Sequence, residues 1–146
     1  MTTRTNAWAA SPGAPVDRLM ALAAPAAAVL AGLAAEWLDF RALRYPLLLM
    51  VGLGVLATAL AVLPRTGGWR AAALTVAIGI ATWAAAETLY VVLHAAQGER
   101  FEAERFGPQP AQALGLIAAH ALFLGVPTGV AAALARAVIL RASSDR

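Results

Sequence analysis

Four long apolar runs separated by short polar segments organise this chain: about residues 19–38, 46–63, 71–97 and 111–135. Each approaches or exceeds the ~20 residues an α-helix needs to cross a bilayer. The pattern predicts an all-α, polytopic membrane protein, a bundle of four transmembrane helices in two antiparallel hairpins. The third run is the longest. At ~1.5 Å per residue, the stretch from Ala71 to Ala96 exceeds the ~30 Å hydrocarbon core, so a tilted helix is expected there.

The boundaries follow from the residues between the runs. Arg18 precedes the first run, as in a signal peptide. That run is too long for an ordinary signal core, however, and has no small-x-small cleavage site before Glu36. The second run opens at Pro46 and ends before Pro64, and prolines suit helix boundaries. Pro127, between Gly125 and Gly129, interrupts the fourth run, where a kink or hinge is expected. Trp37, Tyr45, Trp69, Phe101 and Phe106 lie in or beside the polar connections, as aromatic residues do at membrane–water interfaces. Residues 1–17 are small, polar and turn-forming, which predicts a disordered tail before a transmembrane domain at 18–140; residues 141–146 form a second tail.

Composition agrees with this reading. The chain is 61% hydrophobic and 13% charged, with a mean hydropathy of +0.72, too apolar for a soluble domain of 146 residues. Cysteine is absent, which excludes disulfides, thiolate metal sites and thiol chemistry. All eleven basic residues are arginine, scattered rather than clustered. They therefore argue for orientation rather than for binding nucleic acid or lipid headgroups. With four crossings both termini share one side. That side holds Arg4, Arg18, Arg65, Arg70, Arg136, Arg141 and Arg146, against Arg41, Arg44, Arg100 and Arg105 on the other. The positive-inside rule then predicts a multi-pass protein of the cytoplasmic (inner) membrane with both termini in the cytoplasm.

Candidate chemistry centres on Glu87, a carboxylic acid well inside the third run. Tyr90 and His94 follow at i+3 and i+7 on the same helix face. Glu87 lies ten residues before Gln97, and His120 ten residues after Pro110, so each is roughly 15 Å below the connection its helices share. A Glu87–His120 pair is predicted. Glu36 and His94, both near the outer helix ends, are at depths that would allow a shallower second pair. An ionisable group in a transmembrane segment is costly, and so is a functional candidate. Glu87, Tyr90, His94 and His120 read either as a proton relay or cation site, or as a polar clasp between helices.

Other chemistry finds little support. His94 and His120 differ in depth by roughly 10 Å, too far to ligate one haem iron from both sides. Zinc lacks a third or fourth ligand at this depth, and no Ser/His/Asp grouping or Gly-rich phosphate loop is present. No metal, cofactor or catalytic residue is predicted. Thr82 and Thr128 are expected to bond their own helix backbones. Gly125-x-x-x-Gly129 and Gly52-Leu53-Gly54 suit close helix packing.

Three functional classes follow. The first is an accessory or scaffold subunit, partnered by the bilayer and by other membrane subunits or copies of itself. The second is a homo-oligomeric channel or proton-coupled transporter using the Glu/His pair. The third is an intramembrane enzyme with Glu87 as general acid or base.

Overall fold

The structure is a computed structural model that describes residues 15–37, 40–64, 68–96 and 110–144. Its elements are all α-helices: α1 (Pro15–Ala21), α2 (Ala23–Trp37), α3 (Phe40–Val62), α4 (Trp69–Ala96) and α5 (Pro110–Ser144). Among the described residues three segments are long and apolar enough to cross a membrane: Tyr45–Val62, Trp69–Leu93 and Leu114–Ser144, with mean hydropathies of 2.1, 1.7 and 1.8. Of the tail expected at residues 1–17, residues 1–14 lie outside the described residues, while residues 15–17 open α1; residues 97–109 of the last connection, with Phe101 and Phe106, also lie outside them.

The first apolar run departs from expectation. Rather than one helix over 19–38 it is two, divided at Leu22. Pro25 is the cause: it has no N–H to donate to the carbonyl of Ala21, and its ring crowds that carbonyl. The break leaves backbone groups that lipid cannot satisfy, and a single side chain on α3 serves them. Thr58 Oγ1 accepts from the Ala24 N–H at 2.9 Å and shares its own proton between the carbonyls of Met20, at 3.1 Å, and Ala21, at 3.3 Å. The remaining apolar helix, α2, has 15 residues, roughly 22 Å of rise.

Two other boundaries differ. Pro46 lies inside α3, which begins at Phe40 instead of opening at the proline. Helix α5 runs unbroken through Pro127 and on to Ser144, carrying Arg136 and Arg141 in its last turns, where the apolar pattern places the helix end at residue 135.

Small side chains make the core. Its buried members include Ala24, Ala27, Ala28 and Ala31 of α2, Val51, Val55 and Ala59 of α3, Ala86 of α4, and Ala121 and Ala132 of α5. Backbones approach closely where side chains are this small, the usual means of packing helices in a solvent as apolar as their own surfaces. Gly54 lies against Ala23 and Ala27, and Gly32 against Ala86 and Leu89, so α2 is clasped from two directions. Large apolar groups turn outward: Leu49 on α3, Leu74 on α4, and Phe123 and Leu134 on α5 are all exposed. That distribution suits a bundle surrounded by lipid.

The tightest contact joins α4 and α5. A Cβ placed on Gly125 would stand 2.5 Å from the Ile80 Cα, one on Gly129 2.5 Å from the Val76 Cα, and one on Gly79 2.7 Å from the Gly125 carbonyl oxygen. Because position rises on α5 as it falls on α4, the two helices run in opposite directions. Beside this seam lies Trp83, 2% exposed, whose indole Nε1 donates to Thr128 Oγ1 at 3.1 Å. Thr128 in turn donates to the Leu124 carbonyl at 2.6 Å. Trp83→Phe removes the donor and also three ring atoms, leaving a cavity beside the seam. It is expected to lower stability by about 2–3 kcal/mol, read as an earlier unfolding midpoint of the detergent-solubilised protein.

Candidate functional site

The glycine seam sets the register that builds the site. With Ile80 against Gly125, two further turns along α4 reach Glu87, and about a turn and a half back along α5 reaches His120, about 3 Å short of the same level. The structure brings these two together: His120 Nδ1 stands 3.7 Å from Glu87 Oε1. This is ion-pair distance for a protonated imidazole, but beyond the ~3.2 Å limit of a good N–H···O bond.

Exposure gives the pair its character. The Glu87 side chain is 17% accessible and that of His120 is 50% accessible. The carboxylate on α4 is the more buried of the two, and the imidazole on α5 the more exposed. On the same flank of α5, one turn beyond His120, Phe123 is 78% exposed. The pair therefore opens through the bundle's outer wall rather than into its interior. Bare hydrocarbon is a poor neighbour for an imidazole and a carboxyl.

The other sequence candidates fall as follows. Tyr90 is half-buried on α4, one turn beyond Glu87. His94 and Glu36 lie within α4 and α2, but their side chains fall outside the described residues. Thr88 donates to the Ala84 carbonyl at 2.7 Å, which commits its hydroxyl to its own helix. Thr82 and Thr75 do the same, bonding Ile78 and Ala71. Among the described residues no group of three metal-ligating side chains comes together. Gly125 and Gly129 are spent on the α4 seam within the chain, and Pro127, between them, faces outward.

Three residues with marked roles carry no such label in the sequence reading. Thr58 holds the α1–α2 break, Trp83 anchors α4 to Thr128, and Arg136 is buried at the end of α3. Pro25 within an apolar run is the available signal for the first. A tryptophan far from either interface is the signal for the second, since its indole N–H needs a partner. Arg136 carries no signal of burial, because a charge after an apolar run ordinarily marks the water boundary.

What the Glu87–His120 arrangement can do is limited and specific. A carboxyl and an imidazole so placed can pass a proton once they close to hydrogen-bond distance or a water bridges them, or can present a donor and an acceptor to a third polar group. No family model, curated protein or solved structure matches this chain.

Proposed function

We propose that this chain is a subunit of a membrane assembly, in which a helix of another subunit or of a second copy covers the α4–α5 face at Glu87 and His120. The observation that supports this is a half-exposed histidine over an acidic partner, set in an apolar wall. Such a pair is better accommodated against protein than against acyl chains, where helix–helix hydrogen bonds contribute about 1 kcal/mol each. The same reading takes α1 and α2 together as a first crossing, making four crossings in two antiparallel hairpins. It places both termini in the cytoplasm of a cytoplasmic-membrane protein, by the arginine balance.

The absence of cysteine permits a direct test. Phe123→Cys, one turn from His120 and exposed, carrying a thiol-linked benzophenone, is expected to photocrosslink by C–H insertion to a neighbouring chain in native membranes, and Leu74→Cys on α4, labelled likewise, serves as a comparison. The crosslinked species would then be identified by mass. Foreign subunits at fixed stoichiometry favour an accessory role, and dimers or higher multiples of the 15.0 kDa chain favour self-assembly. No crosslink at Phe123, with a solubilised mass of one chain, rejects the proposal.

A second reading takes the same pair as a proton relay at an interface between copies, since its two members lie within proton-transfer reach once their side chains adjust. It predicts that Glu87→Gln abolishes pH-driven flux in liposomes while the protein still folds and inserts. Flux equal to wild type would remove the relay and leave the clasp.

A further inference from the structure

A second polar site lies at the opposite end of the α4–α5 seam, where α3 finishes, α4 begins and α5 runs out. There a cavity of 540 Å³ is walled by Gly68, Ala72 and Thr75 on one side and by Ala133, Arg136 and Arg141 on the other. Arg136 is only 4% exposed. Its Nη2 donates to the carbonyls of Pro64, at 2.5 Å, and Leu63, at 3.4 Å, which answers the negative end of the α3 dipole. Its Nε is buried with no hydrogen-bond partner. Among the described residues no carboxylate stands within ion-pair distance of it.

A buried guanidinium with a donor unspent and no counterion is an expensive arrangement. The cavity wall adds more positive potential instead of relieving it. The first-turn N–H groups of α4, a helix of 28 residues, have no acceptors within their own helix and carry its positive dipole end. Arg141 stands exposed on the same wall. We propose that this cavity binds a phosphate-type oxyanion, held by the Arg136 guanidinium, Arg141 and the start of α4.

The level of the site bears on where that anion comes from. Trp69 is 77% exposed at the cavity mouth, with the Arg70 guanidinium 5.6 Å from its ring centre, a pairing suited to the headgroup layer. The phosphate of an anionic lipid and a free phosphate ester share the recognising chemistry, and both can reach this point. The arginines are scattered in sequence, and folding gathers two of them at one helix start.

The test uses the full chain in bilayer discs of phosphatidylcholine with or without phosphatidylglycerol. Native mass spectrometry reads retained lipid, and inorganic phosphate is titrated separately against thermal unfolding. Preferential retention of phosphatidylglycerol is expected, weakened about fivefold by Arg141→Gln and at least ~tenfold by Arg136→Gln. Because Arg136→Gln also removes bonds to α3 and could fail to fold, Ala133→Leu provides a second route. It projects three further carbons into the cavity beside Arg136, leaves those bonds in place, and is expected to weaken retention at least as much as Arg141→Gln. Stabilisation by inorganic phosphate without lipid preference, lost in Arg141→Gln and Ala133→Leu, would support the site and assign it to a soluble phosphate. Equal retention of both lipids together with no response to phosphate would overturn the proposal.

Discussion

Gly129→Leu is expected to abolish the folded bundle, leaving aggregated protein on size-exclusion chromatography where the wild type gives a single peak. The first atom of any new side chain at this position would meet the Val76 Cα at 2.5 Å and the Val76 carbonyl oxygen at 3.1 Å. Both belong to backbone, so no rotamer change on α4 relieves the clash, and the helices must separate. Separation also lifts Gly79 from Gly125 and draws Trp83 away from Thr128, because all lie on one seam. Overpacking ordinarily costs ~1–3 kcal/mol, and a clash between backbones belongs at or above the top of that range. Gly129→Ala places the same Cβ and is expected to show most of the loss. Gly52→Ala, whose Cβ would meet only the Thr128 Cγ2 at 3.8 Å, is the internal control and is expected to behave as wild type.

The second large effect is expected at Thr58. Thr58→Val keeps the shape but leaves the Ala24 N–H and the carbonyls of Met20 and Ala21 without the hydroxyl they share. Each unsatisfied buried group costs ~1–3 kcal/mol, and the break is expected to lose on the order of 3 kcal/mol in all. Pro25→Ala should restore a donor to the Ala21 carbonyl and allow α1 to continue into α2. In the double variant the cost of Thr58→Val is then expected to shrink to less than half its value alone, a non-additivity that a double-mutant cycle measures. Additive effects would show that Pro25 is not what makes Thr58 necessary.

The contrast between these positions explains which features could be read from the chain. Helix identity was legible because lipid demands long uninterrupted apolar runs, and α4, spanning Trp69–Ala96, lies within two residues of its sequence limits. The nearness of Glu87 and His120 was legible because both are counted from one short connection, and helical rise converts that count directly to depth. The break at Leu22 was missed because apolarity says nothing of Pro25's missing donor. The extension of α5 to Ser144 was missed for the opposite reason: an apolar window stops at Arg136, whereas the structure buries that arginine against carbonyls contributed by α3. Which carbonyls meet which arginine is a property of three-dimensional neighbours, not of spacing. The outward aspect of the Glu87–His120 pair was likewise hidden, since α4 is apolar around most of its circumference and offers no stripe to orient it.

The clamp at Thr58 also bears on how the protein is made. Synthesis delivers Met20, Ala21 and Ala24 to the membrane well before the threonine that satisfies them, which lies 34 to 38 positions further along the chain. During that interval the leading segment carries exposed peptide groups on a helix shorter than the hydrocarbon is thick. Insertion of this segment is therefore expected to be reversible until α3 enters beside it, so that the two settle into lipid together and the order of translation enters the folding mechanism.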